Sequence, residues 1–286
     1  MVRMMKRSSE SNYNNQLYII SSPIGNLKDI TFRAIETIKE VDYLFCEDTR
    51  VTSKLLNAYG IKREIDSYHD HSSSEKEDYI ISLLLKGYNV GIISDAGTPI
   101  ISDPGFELVK KAKENGIKVS PIPGASASIA AITMAALPMK PYLFYGFLNH
   151  KESLKIKELE SLKDYPFSIC FYESPLRIKE TIKDMYKVFK DRKCVILREI
   201  TKMYEESIDL NLSEWNMLDD DLKGEMVIVV EGKTKDNSDN ESIDLIKSMD
   251  ELIKSGLSLK EASKVLSGKI NMKSSDIYNE YLRSKK

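Results

Sequence analysis

The sequence predicts an α/β protein with two α/β domains and a small helical module at its carboxyl end. Short β-branched runs alternate with helical patterns of about ten residues through the first part of the chain, which is typical of βαβ units and a mostly parallel sheet. A second series of strand-like and helical segments begins near Pro123, and three short helical patterns follow a polar segment near the end.

Changes in composition predict the domain boundaries. Residues 1–16 are polar and are expected to form a disordered extension. The N-terminal α/β domain is predicted at 17–122 and the C-terminal α/β domain at 123–232. The turn-rich segment 233–240 is expected to be a linker. Residues 241–286 then form a small helical, helix-turn-helix-like domain.

The elements of the first domain are predicted from hydrophobic periodicity and from glycine stops. Strands are expected at Leu17–Ser21, Tyr43–Cys46, Val90–Ser94 and Ile117–Pro121. Helices are expected at 30–41, Val51–Tyr59, Lys76–Lys86 and Phe106–Asn115. In a parallel sheet of this kind, ligands bind beyond the carboxyl ends of the strands.

The second domain is expected to contain a mixed sheet. Its predicted strands are Leu143–Phe147, Ile169–Tyr172, Val195–Arg198, Tyr204–Ile208 and Met226–Glu231. Its predicted helices are Leu154–Leu162, Ile178–Phe189 and Leu212–Leu218. The tail shows helical patterns at Ile243–Lys254, Leu259–Leu266 and Asp276–Leu282.

Composition limits the class of protein. The formal net charge is −2, so any nucleic-acid contact must come from local Lys/Arg patches. No stretch reaches 18 apolar residues, so no membrane span is expected. The three cysteines are far apart and form no CxxC pair, which predicts buried free thiols, no structural metal and a reducing, cytoplasmic setting.

Four loops rich in glycine, proline and small polar residues each follow a predicted strand. They are Ser21–Leu27, Cys46–Arg50, Ser94–Gly105 and Pro121–Ser128. Such loops offer backbone amides and allow close approach at glycines, although each could also be a simple turn. The chain has neither GxGxxG after the first strand nor GxxxxGK[ST], so a dinucleotide site or a P-loop is not supported.

These loops and later motifs resemble the ribosomal RNA small subunit methyltransferase I family. The matching segments are Pro23–Leu27 with Asp29–Thr31, Glu47–Arg50, Ser94–Gly105, Pro123–Ala127, Phe171–Arg177, Arg198–Lys202 and Lys223–Gly232. The resemblance covers about residues 17–232 in order, and the tail resembles the family's helical C-terminal domain.

The resemblance implies a tetrapyrrole-methylase-like fold with S-adenosyl-L-methionine in a cleft between the two α/β domains. It implies 2′-O-methylation of a cytidine in the decoding region of 16S rRNA, with 16S rRNA or the small ribosomal subunit as partner. A homodimer without a metal is expected. Related corrin methylases have a GDP-type turn where this chain has Gly97-Thr98-Pro99, which favours the RNA branch.

Candidate cofactor-binding residues follow from the match to the family's loops. The floor of the site is expected at Gly97, Thr98, Pro99 and Ile100, with Ser94 and Asp103 in the same loop. The remaining candidates are Pro23, Gly25, Gly124, Ala125 and Ser126. The alternative is that these loops are turns that touch no ligand.

Candidate catalytic residues are Glu47, Asp48 and Arg50, just beyond a strand end, where a carboxylate accepts a proton and an arginine holds a phosphate. The alternative for Asp48 and Arg50 is a helix N-cap with an ion pair. His69 and His71 are alternative proton acceptors, because an imidazole titrates near neutral pH. A lone HxH is only a weak signal for a metal site.

Other side chains have two interpretations each. Arg177, Arg198 and Lys202 either contact RNA phosphates or form a solvated surface. Tyr142, Tyr145 and Phe147 are expected on one face of a strand, in the core or at a dimer interface.

Two other functions stay open at this point. One is C-methylation of a tetrapyrrole precursor by the same fold, since a fold alone does not determine function. The other is a non-catalytic RNA-binding assembly factor that uses the helical tail.

Overall fold

Five parallel strands form the first sheet of the computed structural model, which describes residues 15–69, 74–234, 245–267 and 272–285. The strands are β1 (Gln16–Ile20), β2 (Tyr43–Cys46), β3 (Asp66–Ser67), β4 (Val90–Ile93) and β5 (Lys118–Ile122). Their order is β3-β2-β4-β1-β5, and every pairing is parallel, as the sequence predicted. Segments 1–14 and 235–240 and residue His71 lie outside the described residues, so the expectations for them stay predictions.

Helices cover both faces of this sheet. They are α1 (Phe32–Glu40), α2 (Thr49–Ala58), α3 (Ser74–Leu85) and α4 (Phe106–Glu114). Side chains of α3 and α4 pack on one face and side chains of α1 and α2 on the other, in two separate apolar clusters. All four residues of β4 are buried, which is expected of a parallel strand with both faces covered.

The second sheet is mixed, as predicted. Its strands are β6 (Tyr142–Phe147), β7 (Ser168–Glu173), β8 (Lys193–Arg198), β9 (Glu206–Asn211) and β10 (Met226–Val230). The order is β6-β7-β10-β8-β9, with β6 parallel to β7 and the other pairs antiparallel. One face packs on α6 (Glu152–Leu162) and α7 (Ile178–Phe189), and the other on α5 (Ala127–Met134).

Four elements differ from the sequence patterns. Strand β3 (Asp66–Ser67) was not predicted, because its two residues form no apolar run. Helix α5 was not predicted, because its sequence ASIAAITM is small and apolar on all sides and shows no polar face. The strand predicted at Tyr204–Ile208 was placed too early: Tyr204 is exposed in a turn and β9 begins at Glu206. The helical pattern from Leu212 is a 3-10 helix, Leu212–Met217.

The chain divides into two compact units, one ending at Gly232 and one beginning at Lys233. In its described residues, 245–267 and 272–285, the second unit has three helices, as the tail patterns indicated: α8 (Leu245–Lys254), α9 (Leu259–Ser267) and α10 (Ser274–Ser284). They enclose their own small core of Met249, Ala262, Leu266, Ile277 and Tyr281. Within the residues described, no helix is both long enough and apolar enough to span a bilayer.

A buried ion pair joins α6 to α7 behind the second sheet. The Lys155 Nζ lies 2.7 Å from Asp184 Oδ2, and the two side chains are 2% and 0% exposed. Lys187 Nζ donates to Asp184 Oδ1 at 2.7 Å. Burial alone would raise the pKa of Asp184, but hydrogen bonds from Lys155 and Lys187 outweigh it and hold that pKa below its ordinary value.

Replacing Lys155 by Met should lower the free energy of unfolding by roughly 3 kcal/mol, since it leaves a buried carboxylate with one cation. Because the pKa of Asp184 is lowered by folding, its stabilisation is present above about pH 5 and is lost as the pH falls below about 4. Urea unfolding at several pH values measures both effects. The double variant Lys155→Met/Asp184→Leu should recover part of the loss; a single variant within about 0.5 kcal/mol of the unaltered protein would contradict this.

Candidate functional site

Three loops at the carboxyl ends of the parallel strands are tied together by hydrogen bonds. They are the β1 loop (residues 21–27), the β4 loop (residues 94–105) and the β5 loop (residues 123–126). The backbone N–H of Ser22 donates to the Gly97 carbonyl at 2.8 Å. The Thr98 hydroxyl donates to the Ala125 carbonyl at 3.3 Å and lies 3.1 Å from the Ser21 hydroxyl. The loops therefore form one connected surface.

Gly97 lies where the three loops meet. Its φ of +77° is a conformation that favours glycine, and a Cβ there would be 3.3 Å from Ile24 Cγ2 and 3.7 Å from the Ala125 carbonyl. The buried Ser94 hydroxyl donates to the Gly97 carbonyl at 3.1 Å. At Gly124, a Cβ would be only 2.9 Å from the Ser21 Cβ. Both glycines thus leave room for side chains of the β1 loop, Ile24 at Gly97 and Ser21 at Gly124.

The β1 loop also joins the second sheet. Ile24 belongs to the same buried apolar cluster as Ile200 and Val227 of that sheet. The backbone N–H of the next-but-one residue, Asn26, donates to Thr201 Oγ1 at 3.1 Å. A Cβ on Gly25 would be 2.5 Å from Lys202 Cγ, so the two loops are in direct contact. The β1 loop therefore connects the carboxyl edge of the first sheet to the second sheet.

Lys202 is held by carboxylates in this junction. Its Nζ lies 2.9 Å from Glu199 Oε1 and 3.0 Å from Glu225 Oε2. The hydrogen bond from Lys202 lowers the pKa of Glu199, which also accepts the Glu225 N–H at 2.9 Å. Lys202 thus stabilises the junction, and the structure does not support the expectation that it contacts RNA phosphates.

The two arginines expected at phosphates are also engaged within the chain. Arg198 forms an ion pair with Glu206 at 2.7 Å and donates to the Lys223 carbonyl at 3.1 Å. Arg177 pairs with Glu173 at 3.2 Å and donates to the Leu148 carbonyl at 3.1 Å. Neither guanidinium is the solvated group that the sequence patterns suggested.

A cavity of about 460 Å³ lies between these loops and the second sheet, in the size range of small-molecule sites. The first sheet and its following segments contribute Ile24, Glu47, Asp95, Ala96, Gly97, Thr98, Ile101, Ser102, Asp103, Ser126 and Ala127. The second sheet and its loops contribute Phe147, Tyr172, Glu173, Ser174, Pro175, Ile200, Glu225, Met226 and Val227.

The cavity is acidic. Five carboxylates line it, and no lysine, arginine or histidine is among the residues that form its wall in the described part of the chain. Glu47 and Asp95 follow the neighbouring strands β2 and β4. Burial raises the pKa of Asp95, although its Oδ1 accepts the Asp48 N–H at 3.0 Å. Such a wall favours a cationic ligand over a phosphate.

Asp48 and Arg50 do not line the cavity. They form the helix N-cap with an ion pair, which is the alternative that the sequence left open. Asp48 is the N-cap of α2, and its Oδ1 accepts the Arg50 backbone N–H at 2.8 Å. Hydrogen bonds from Arg50 lower the pKa of Asp48 to about 2, which makes it a poor proton acceptor. Asp48 thus caps the helix, and Arg50 forms an ion pair with it through a side chain that is 86% exposed.

The other predicted residues fall into two groups. Glu47, Gly97, Thr98, Asp103 and Ser126 line the cavity. The rest of the candidate cofactor residues belong to the same loops but not to the wall: Pro23, Gly25, Ser94, Pro99, Ile100, Gly124 and Ala125. His69 is exposed beyond β3 and does not line the cavity. Over the described ranges, no group of three or more His, Cys, Asp or Glu is arranged to hold a metal.

The second-sheet wall was not predicted as a site. Its signal was present in the FYESPLR segment, which spans the end of β7 and the loop after it and contains Tyr172, Glu173, Ser174 and Pro175. The rule that ligands bind beyond the strand ends holds for parallel sheets, whereas these residues come from a mixed sheet. Asp95 and Ile101 were missed although they lie in a loop that was identified.

Comparison with known proteins identifies the family to which this architecture belongs. The family model of tetrapyrrole (corrin/porphyrin) methylases matches residues 16–216, which include the three loops and most of the second sheet. The chain belongs to this methylase family.

Two relatives with about 40% sequence identity show which members of the family this chain resembles. The ribosomal RNA small subunit methyltransferase I of Bacillus subtilis (strain 168) is 41% identical over 273 residues, covering 93% of each chain. The protein of the same name from Haemophilus influenzae (strain ATCC 51907 / DSM 11121 / KW20 / Rd) is 42% identical over 268 residues, covering 92% of this chain and 94% of the relative. Within the family, this methylase groups with them.

Solved structures show the same fold at low identity. A cobalt precorrin-4 methyltransferase superposes with a TM-score of 0.59 at 17% identity, covering 80% of this chain and 98% of that one. A diphthine synthase gives a TM-score of 0.59 at 16% identity, covering 78% and 92%. The fold class predicted from the sequence is therefore confirmed.

Replacing Gly97 by Ala should destabilise the methylase by more than the roughly 1–2 kcal/mol that a left-handed alanine costs. The added Cβ would lie 3.3 Å from Ile24 Cγ2, so the Ile24 side chain must shift slightly within its packed cluster. Gly87→Ala is the matched control, because Gly87 has φ +95° and no atom within 4 Å of the added Cβ. Urea unfolding of both variants gives the comparison, and equal losses would show that the loops tolerate the extra atom.

Proposed function

We propose that this methylase transfers a methyl group from S-adenosyl-L-methionine to the ribose 2′-oxygen of a cytidine in the decoding region of 16S rRNA. The observation that carries the proposal is the identity of about two residues in five, over more than nine tenths of the chain, with proteins named ribosomal RNA small subunit methyltransferase I. The proposed partner is 16S rRNA or the small ribosomal subunit.

The chemistry of the cavity fits this methyl donor. S-adenosyl-L-methionine supplies a methyl group on a positively charged sulfonium and also bears an ammonium group. The wall contains five carboxylates, of which Glu173 and Glu225 are already paired with Arg177 and Lys202. Small side chains at Ala96, Gly97 and Ala127 leave room for a flat ring system, and the β4 loop is the proposed floor. The acidic wall favours such a cation over a dinucleotide.

The same wall has a consequence for the RNA. Phosphates are repelled by carboxylates, so the RNA backbone should stay outside the cavity while one nucleoside enters it. Holding the ribose oxygen in line with the methyl group is the main catalytic task, because such positioning supplies roughly 7–11 kcal/mol of barrier reduction. The rigid junction of the three loops suits that task.

We propose the carboxylates of Glu47 and Asp95 as the candidate acceptors of the proton that the 2′-hydroxyl loses. Both line the cavity, whereas Asp48 is occupied as a helix cap. Burial raises the pKa of Asp95 from its ordinary value, which makes that carboxylate a better proton acceptor. Its hydrogen bond with the Asp48 N–H fixes one carboxylate oxygen and so orients the group.

The direct test of the substrate class is methyl transfer from the labelled donor to three acceptors. Small ribosomal subunits from cells that lack this methylase, the same subunits from ordinary cells, and a uroporphyrinogen are incubated with the purified protein. Label in the rRNA of the first sample alone supports the proposal. Label in the tetrapyrrole would establish the other branch of the family, and no transfer to any acceptor would favour a non-catalytic RNA-binding role.

Asp95→Asn should reduce single-turnover methylation by about 10²-fold or more, because the amide keeps the hydrogen bond to Asp48 but accepts no proton. Glu47→Gln should also slow single-turnover methylation, independently of Asp95→Asn. Asp48→Asn is the control: it preserves the cap outside the cavity and should change the rate by less than a few-fold. Calorimetry of donor binding accompanies each variant. If neither cavity variant slows a donor-saturated enzyme, the assignment fails.

The C-terminal unit is proposed to strengthen RNA binding. Lys260 and Lys264 are one turn apart on the exposed side of α9, and Lys273 caps α10 at an exposed position. Lys269, which the sequence also suggested for this role, lies outside the described residues. Contacts of these lysines with phosphates would be electrostatic and would weaken steeply with salt.

Truncation after Gly232 should leave a folded protein that still binds S-adenosyl-L-methionine, because the first unit is compact without the tail. Its affinity for small subunits should fall, together with the dependence of that affinity on salt. Melting temperature, donor affinity and subunit affinity are measured together. Unfolding of the truncated form would make the tail structural, and an unchanged salt dependence would remove it from the RNA interface.

A homodimer is part of the proposal and rests on the resemblance to the family. Light scattering of the purified full-length protein determines the oligomeric state.

A further inference from the structure

Strand β6 contains a β-bulge just before the cavity. Phe144 pairs with Cys170 of β7, but Gly146 pairs with Phe171, so Tyr145 is an extra residue. Gly146 has φ +86°, a conformation that favours glycine at a bulge. An inserted residue reverses the alternation of faces beyond it.

The bulge decides where Phe147 lies. In a regular strand Tyr145 and Phe147 would share a face, as the sequence pattern predicted, and that expectation is wrong. Tyr145 packs with Phe171 in the cluster on the α6–α7 side. Phe147 instead packs against Tyr172, as Phe144 does from the other side of the bulge. The bulge therefore turns Phe147 towards the cavity.

Tyr172 is a fixed support for the Phe147 ring. The ring centroids are 5.4 Å apart at an interplanar angle of 63°, an edge-to-face contact. The Tyr172 hydroxyl accepts the backbone N–H of Ser128 at 3.2 Å, in the first turn of α5, so the supporting ring cannot rotate freely. Phe147 lines the cavity and is still 56% exposed. Its ring is thus held in place while much of its surface faces solvent.

A ring in this position suits a nucleobase. An enzyme that reacts with a ribose inside a cavity must take the nucleotide out of its stack, which removes the base's neighbours. Aromatic side chains replace those neighbours in single-stranded RNA complexes. Ile101 and Pro175, which also line the cavity, add apolar surface for a base.

We infer that Phe147 stacks on the base of the nucleotide whose ribose enters the cavity. The inference rests on the proposed function. The methyl donor is the less fitting occupant, because small-molecule sites enclose most of their ligand's surface whereas the Phe147 ring is more than half exposed. Phe147 is a binding residue for the RNA base, and the loops around Gly97 hold the donor.

Four variants test the stacking. Phe147→Ala should lower kcat/KM for small subunits that lack the modification by about 10- to 100-fold. Phe147→Trp, which keeps a flat ring, should retain most of the rate, and Phe147→Leu, which keeps only apolar bulk, should not. Tyr142→Ala is the matched control, since Tyr142 is a 39% exposed aromatic residue on the same strand but outside the cavity wall. Subunit affinity is also measured by filter binding without the donor, and donor affinity by calorimetry.

The outcomes separate the inference from the proposed function. The stacking is supported if the unaltered protein methylates the subunits and if Phe147→Ala lowers the affinity for subunits while the affinity for the donor stays unchanged. The stacking is overturned if Phe147→Ala leaves kcat/KM and affinity for small subunits unchanged. It is also overturned if the Phe147→Leu and Phe147→Trp variants are equally active. A loss confined to donor affinity would assign the ring to the donor's adenine instead. If the unaltered protein methylates no RNA, the proposed function fails and the inference fails with it.

Gly146→Ala tests the bulge itself. No atom lies within 4 Å of the added Cβ, so the substitution acts on backbone conformation alone. It should reduce kcat/KM for subunits in the same direction as Phe147→Ala, with donor affinity unchanged. Full activity of a folded Gly146→Ala protein would show that the bulge does not determine the position of the ring.

Discussion

The structure depends on the close packing of the β1 loop against its neighbours. On one side it meets Gly97 through the hydrogen bond from Ser22, and on the other Ile24 enters the apolar cluster of the second sheet. The cavity exists because these contacts hold the strand ends of the first sheet against the second sheet. Gly25 and Gly124 do not belong to the cavity wall. They leave space for neighbouring side chains, those of Thr201 and Lys202 at Gly25 and that of Ser21 at Gly124, with which a Cβ would collide.

Charge is distributed unevenly among the described residues. The cavity wall is acidic, while Lys202, Arg198 and Arg177 form ion pairs with nearby carboxylates. The net charge of −2 gives no general attraction for RNA. Attraction for phosphates would therefore come from local groups such as the exposed lysines of the C-terminal helices, and recognition inside the cavity from stacking and shape. The proposed cationic donor and the proposed anionic polymer would then bind in different electrostatic surroundings.

Much of the fold could be predicted from the sequence because its signals are local. Strand runs and glycine stops such as Gly60 and Gly116 marked the parallel sheet, and its strand ends identified the β4 loop. The wall formed by Tyr172 and Glu173 could not be predicted in the same way, because it depends on how two sheets face each other. The bulge at Tyr145 was also hidden, since one inserted residue changes no composition yet reverses the face of Phe147. Asp48 shows a third limit: a capping carboxylate and a catalytic one look alike until the cavity wall is known.

The central claim is that the methyl group reaches a ribose oxygen of one cytidine in 16S rRNA. The most direct measurement is nucleotide-resolution mapping of 2′-O-methylation, by resistance to alkaline cleavage and by mass spectrometry of the resistant fragment. The substrate is small subunits from cells lacking this methylase, treated with the purified protein and S-adenosyl-L-methionine. The account predicts one new alkali-resistant linkage, at a cytidine of the decoding region, which the Asp95→Asn protein forms much more slowly. Methylation on a base atom, or at a nucleotide outside that region, would contradict it.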